Sequence, residues 1–203
     1  MTSTVMLATV RVILDETTES FWTDSSIYAA LADGQNQVIE RLLAIYRTTG
    51  VLKRELESII YDGTGTSNPI TIPAGFLELF SVTYDHDGTG GGEKCEILTH
   101  RQVLDREDNS FHSATSTEPT AYVKSASGVQ GIYFYPAVSG APAISIQYFK
   151  TPTDIAAGQN AILPGTTHSA IVHYAVSRML DKDQRPQDAQ LHYGLFVKEI
   201  EGL

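Results

Sequence analysis

Cysteine is nearly absent from this sequence. Cys95 stands alone among 203 residues, which excludes an intramolecular disulfide and a thiolate zinc cluster within one chain. Long apolar runs are missing too, since none approaches the roughly 20 residues needed to span a bilayer. The apolar stretch near the N-terminus has no basic leader and is broken by Thr4, Thr9 and Arg11, so it does not read as a signal peptide. The expectation is a soluble, unsecreted protein with no membrane partner. Positive charge is scarce: 14 Lys and Arg face 24 Asp and Glu, for a formal net charge of -10, which argues against tightly held nucleic acid. The imbalance is concentrated centrally. Residues 57–163 carry 12 acidic and 5 basic side chains, against 7 and 5 in residues 1–56 and 5 and 4 in residues 164–203.

What is present begins with a helical pattern from Phe21 to Gly50. Thr23 can accept an amide hydrogen of the first turn, Trp22 and Ile27 sit where a hydrophobic staple would hold them, and Asp24 puts negative charge at the positive end of the helix dipole. Ile27, Leu31, Val38, Leu42 and Ile45 fall on one helical stripe, with Asp33, Gln37, Glu40, Arg41 and Arg47 mostly off it. Gly50 reads as a left-handed C-cap. Gly34 interrupts the pattern, because a glycine inside a helix costs roughly 1 kcal/mol relative to alanine; a backbone approaching closely is the expected reason. Residues 2–14 carry many β-branched side chains, but Met6, Val10 and Ile13 with the flanking Val5 and Leu14 also fit a helical stripe, and the segment reads as a helix packed on the central one. Near the C-terminus, residues 167–183 place Ile171, Tyr174, Ala175, Arg178 and Met179 at helical spacing. Pro186 then opens a last helix with Ala189, Leu191, Leu195, Phe196 and Ile200.

Between these ends the pattern changes. ESIIYDG, NPITIP, LELFSVTYD, EKCEIL, PTAYVKSA, VQGIYFYP and AISIQYFK are rich in β-branched and aromatic residues and bounded by Gly, Pro, Asn or Asp, as strands are. Ile132, Phe134 and Pro136 alternate with Tyr133 and Tyr135, and Ile144, Ile146 and Tyr148 with Ser145 and Gln147. LTHRQVLDRED reads as a short helix among them. The fold class is therefore α+β: an α-helical bundle formed by the N- and C-terminal helices, residues 1–56 and 164–203, with an inserted antiparallel β domain at 57–163.

Candidate chemistry is thin. Asp85, Asp87 and Glu93, in YDHDGTGGGEKCE, are oxygen donors of the kind calcium takes, but the EF-hand series is incomplete and the glycines describe a hairpin tip. No Gly-Lys-Ser/Thr follows to make a phosphate cradle. His168 and His173, five residues apart on a helix, point about 140° away from each other and do not form a two-ligand face. Acidic neighbours of Cys95 are expected to raise its pKa, and no Gly-x-Ser-x-Gly elbow is present. Tyr133, Phe134, Tyr135, Tyr148 and Phe149 read as a core face and an interface face rather than a stacking platform for bases. No catalytic residue, cofactor site or metal site is assigned, and an enzyme is not expected.

FWTDSSIYAALADGQNQVIERL, the strand entry TIPAGFLELFSVTYD and the closing pair HSAIVHYAVSRMLDKDQRPQDAQLHYGLFVKEIEGL together resemble the head-to-tail adaptor (connector) proteins of tailed bacteriophages. The resemblance covers both ends and the β entry, about half the chain. It implies a virion structural protein at the head-tail junction, made in the bacterial host cytoplasm. Its expected state is a homo-oligomeric ring, commonly dodecameric, bound to portal protein on one face and tail protein on the other. DNA would pass through the ring without specific binding, and an acidic insertion lining the channel would repel phosphate. A structural ring subunit requires two contrasting surfaces and no catalytic constellation. The expected assembly interface is the polar face of the central helix, Gly34, Gln35, Glu40, Arg41 and Arg47, with Glu199, Ile200 and Leu203 at a weakly held C-terminal end. Two alternatives stand beside it: a β-rich recognition module of a tail component, and a virion-associated cell-wall hydrolase, for which unpaired acids are the sole support.

Overall fold

The computed structural model describes the chain apart from residues 17–20, 67, 87–89, 91, 108–113, 116–117, 127–128 and 139–142. The architecture is α+β, with helices at both ends and an antiparallel-rich β region inserted between them. The chain divides into two compact units, Met1–Ile59 with Pro152–Leu203, and Ile60–Thr151.

Thr23 caps the longest helix as its side chain predicts, accepting from the Ser26 amide at 3.2 Å. That helix, α2 (Asp24–Thr49), ends at Gly50 in the left-handed conformation, φ 69°. Before it comes α1 (Ser3–Ile13), and after the β region come α4 (His168–Lys182) and α5 (Pro186–Glu201), with Pro186 at the first turn of α5. The predicted stripe of α2 is inside at Ile27, Leu31, Val38 and Leu42, where it meets Met6 and Val10 of α1 and Ile171, Val172, Ala175, Val176 and Met179 of α4 in one buried apolar set. Phe196 and Ile200 of α5 are buried as well, so the last helix is held down to its final turn, contrary to the weak attachment expected from its composition. Trp22 is half-exposed rather than stapled into the core, its ring edge-on to the exposed Phe21. The links are short: the α4–α5 turn is a Schellman motif with Gln184 in the left-handed region, φ 57°, and Arg185 N donating to Leu180 O at 2.9 Å.

The helical unit includes Pro152–Leu163, which has little regular structure. Side chains tie it in. The Gln35 amide donates to Thr153 O at 3.1 Å and accepts from Ile162 N at 2.9 Å, and Asn160 Oδ1 accepts from Ser3 N at 2.7 Å.

In the second unit, β1 (Ile60–Gly65), β8 (Ala143–Lys150), β3 (Phe76–Asp85) and β4 (Glu93–Lys94) form one sheet in that order. A second sheet runs β2 (Ile70–Thr71), β7 (Val129–Tyr135), β6 (Thr120–Ala126) and β5 (Ile97–Leu98). All pairs are antiparallel except β5 with β6. Leu79, Val82, Tyr84, Ile144, Ile146 and Tyr148 from the first sheet share one core with Ile70, Ala121, Ile132 and Phe134 from the second, which makes a small sandwich. The alternation of Ile144, Ile146 and Tyr148 inward against Ser145 and Gln147 outward is as the sequence predicts. The short helix, α3 (His100–Glu107), follows β5 and buries Val103. The first and last strands are neighbours, Ile60 pairing with Phe149, so the chain enters and leaves the β unit side by side.

Candidate assembly surfaces

The residues expected at an interface sort into two groups. Gly34 is buried because α4 lies against it: a Cβ there would stand 2.8 Å from Ile171 O. The close approach that its glycine anticipates is made within the protomer. Gln35 is 1% exposed and occupied by Thr153 and Ile162, and Ile200 is buried in the helical core. Those three residues serve the fold.

The others retain contact with solvent. Glu40 is exposed and accepts from Gln37 Nε2 at 2.8 Å. Arg41 is half-buried, its guanidinium 5.2 Å from the Phe196 ring centre and 5.7 Å from that of Tyr193, with Nη2 donating to the Tyr193 hydroxyl at 2.7 Å. Arg47 is exposed in the last turn of α2, and Leu203 is half-exposed. A cavity of about 390 Å³ is lined by Gln37, Tyr174, Ser177, Arg178, Asp181 and Tyr193 among others.

Glu199 belongs to a cluster that sequence spacing did not reveal. His173 on α4 and His192 on α5 bring their Nδ1 atoms to 3.0 Å, with ring centres 5.2 Å apart. The rings thus meet nearly end to end through one N–H···N bond. On the other edge of His173, Nε2 lies 3.8 Å from Glu199 Oε1, and Glu199 Oε2 is buried with no hydrogen-bond partner among the described residues. Burial holds both imidazoles below the usual histidine value, with the His173 neighbour lowering His192 further and Asp188 opposing it. Burial pushes the Glu199 carboxyl up. His168 is elsewhere, its Nε2 bonded to Leu163 O at 2.9 Å and its Nδ1 facing the Met1 amine at 2.6 Å.

An ion-pair knot around the buried Arg11 also escaped the sequence reading, where Arg11 counted only as a break in an apolar run. Arg11 is 6% exposed and pairs with Glu16 at 3.2 Å and with Asp24, and it donates to the Trp22 carbonyl at 3.1 Å. Glu16 in turn accepts from the Phe21 and Trp22 amides. The knot ties the last turn of α1 to the first residue of α2. The sequence signal was a cation in an otherwise uncharged helix, with an acid just past that helix and another at the start of the next.

In the β unit, Asp85 accepts from Gly90 N at 2.9 Å, as a hairpin-tip acid does, and Glu93 is exposed in β4. Asp87 lies outside the described residues, and no group of three or more metal-ligating side chains converges among those described. Cys95 is buried, and it is this burial, not its acidic neighbours, that pushes its thiol up to about 11. No described helix is long and apolar enough to cross a membrane.

Large apolar side chains remain on the outside of the helical unit. On α1, Val5 and Val12 are exposed together with Ala8 on the same stripe, and on α5, Leu191 and Tyr193 are exposed. Helices that precede and follow a β unit in the chain, with apolar side chains exposed on α1 and α5, suit a subunit that packs against other chains. The family model described as SU10 adaptor protein matches residues 1–203. The chain belongs to the SU10 adaptor protein family, whose members are phage head-to-tail adaptors. No curated protein matches it significantly.

Proposed function

We propose that this protein is a ring-forming subunit of the phage head-to-tail junction, docked beneath the portal and offering its other face to the tail, in a ring that is dodecameric. The full-length match to the adaptor family carries this reading. Adaptor membership implies oligomerisation and association with portal and tail proteins. Within the ring, Glu40, Arg41, Arg47, Glu199 and Leu203 contact neighbouring chains, while Gly34, Gln35 and Ile200 support them from inside.

The charge distribution supports a channel role for the insertion. Residues 57–163 hold 12 of the 24 acids but 5 of the 14 basic residues. Repeated around a ring, that excess lines the passage with negative potential, so DNA slides through without adhering. The test is to mix purified protein with portal rings and image them by electron microscopy. Added ring-shaped density on one face of the portal is expected; bare portals at saturating protein would overturn the reading.

A further inference from the structure

Gly194 has no reason inside the protomer. It lies in the interior of α5, where glycine costs about 1 kcal/mol relative to alanine. It is exposed, and a Cβ built on it meets no atom of the described residues within 4 Å. Gly34, by contrast, is explained by the Ile171 carbonyl. Around Gly194 the outer face of α5 presents Leu191, 62% exposed, the half-exposed Leu195 and the exposed Lys198. Positions i, i+3, i+4 and i+7 make this one stripe.

A second stripe with matching dimensions lies on α1. Val5, Ala8 and Val12, the last 71% exposed, share one outward face with small or β-branched side chains only. The exposed Asp15 lies just past the C-cap of α1, three residues beyond Val12 and in the left-handed region, φ 58°, and Lys198 lies one turn beyond Gly194 and Leu195 on α5. Both α1 and α5 pack on α2 and α4 rather than on each other, so the two stripes are separate surfaces of the same unit.

We infer that the contact between neighbouring protomers is heterologous, with the Val5–Ala8–Val12 face of α1 on one copy seated parallel on the Leu191–Gly194–Leu195 face of α5 on the next; this rests on the ring-subunit reading above. A second copy is the occupant because each stripe supplies what the other lacks. The missing Cβ at Gly194 lets a helix axis come close, the α1 face offers nothing bulkier than valine to that gap, and in parallel register Asp15 meets Lys198. Two unlike patches on one subunit generate a ring when the rotation closes.

Cross-linking on assembled portals tests this. Chains carrying Ala8→Cys and chains carrying Gly194→Cys are loaded together or separately onto portal rings and treated with a short bis-maleimide; wild-type protein, with only the buried Cys95, is the background. A cross-linked dimer from the mixture, absent from either variant alone, is expected. Rings that form but give no mixed dimer, or a dimer from one variant alone, would overturn the inference while leaving the adaptor reading intact. Absence of wild-type rings on portals would remove both. As a second measurement, Gly194→Leu has room to fold and should keep the wild-type circular dichroism spectrum. It should need about tenfold or more protein to fill portals, the loss of one well-packed contact. Unchanged loading would overturn the inference.

Discussion

At the scale of single residues, the His173–His192 pair makes the clearest forecast. The N–H···N bond between them needs one neutral acceptor nitrogen, and burial keeps both rings neutral to lower pH than free histidine. In the unfolded chain both rings protonate near the ordinary histidine value of 6.5. The folded state binds fewer protons just below that pH, so the contribution to stability is fully present above it and is lost as the pH falls through the lower folded values. His168, also held low by burial, acts in the same direction. Glu199 acts oppositely: its raised folded value gives stability that is complete below the ordinary glutamate value of 4.5 and is lost as the pH rises through the folded one. The histidine window dominates near neutrality, so the melting temperature should fall between about pH 7.5 and about pH 5.5. His192→Gln should flatten that slope by removing one of the three rings; an identical slope in the variant would rule the pair out as its source. None of this was legible beforehand, because residues 173 and 192 are joined only by the geometry of the α4–α5 turn. Arg11 was hidden for a related reason: a cation on an apolar face reads as an interruption until its acids arrive from another helix end.

At the scale of elements, the contact of α2 with α4 depends on Gly34. Alanine there gains helix propensity, but its Cβ would stand 2.8 Å from a backbone oxygen of α4, which cannot rotate away as a side chain would. Overpacking of this kind costs about 1–3 kcal/mol, against a propensity gain of about 1 kcal/mol. Gly34→Ala should therefore lower stability by up to about 2 kcal/mol, seen as a lower urea midpoint with unchanged m-value. Gly194→Ala is the counterpart, with open space around its Cβ, and should raise stability by up to about 1 kcal/mol. The same substitution with opposite signs separates packing from propensity. A stabilised Gly34→Ala would mean that α4 does not sit against α2 there. Elements were the most legible level. Thr23, Gly50 and Pro186 cap by chemistry local to the chain, and the period-two alternation in β7 and β8 survives because one face of each is buried. Gly34 was read correctly as a point of close approach, but the sequence could not say whose backbone comes close. Trp22 misled because a staple position predicts proximity to the helix and not depth. EKCEIL reads as one strand, and its division into β4 and β5, with the parallel pairing of β5 and β6, follows from tertiary contacts that no local pattern encodes.

At the scale of the whole molecule, the pairing of Ile60 with Phe149 decides how the two units depend on each other during folding. Paired Cα atoms of an antiparallel ladder stand about 5 Å apart, so the 92 residues from Ile60 to Thr151 leave the helical unit and return to it at nearly one point. Closing that gap with a few residues costs little, since loop entropy changes only by about 0.6 kcal/mol per doubling of length. The Gln35 clasp on Thr153 and Ile162, the Asn160 bond to Ser3 and the buried stripe of α2 all lie within the helical unit. A chain in which residues 60–151 are replaced by a short Gly-Ser link should therefore retain the helical circular dichroism signal and melt cooperatively. Trp22, the one tryptophan, gives a fluorescence probe that belongs to that unit alone. Its unfolding curve in the shortened chain should superimpose in shape on the helical signal. The same deletion bears on assembly: with α1 and α5 intact, the shortened protein should still form rings on portals, but rings without the acidic insertion should hold DNA more tightly at low salt and release it as salt rises. A shortened chain that is unfolded would show that the helical core needs the β unit. One that folds and forms rings, yet passes DNA like the full-length protein at every salt concentration, would remove the insertion from the channel.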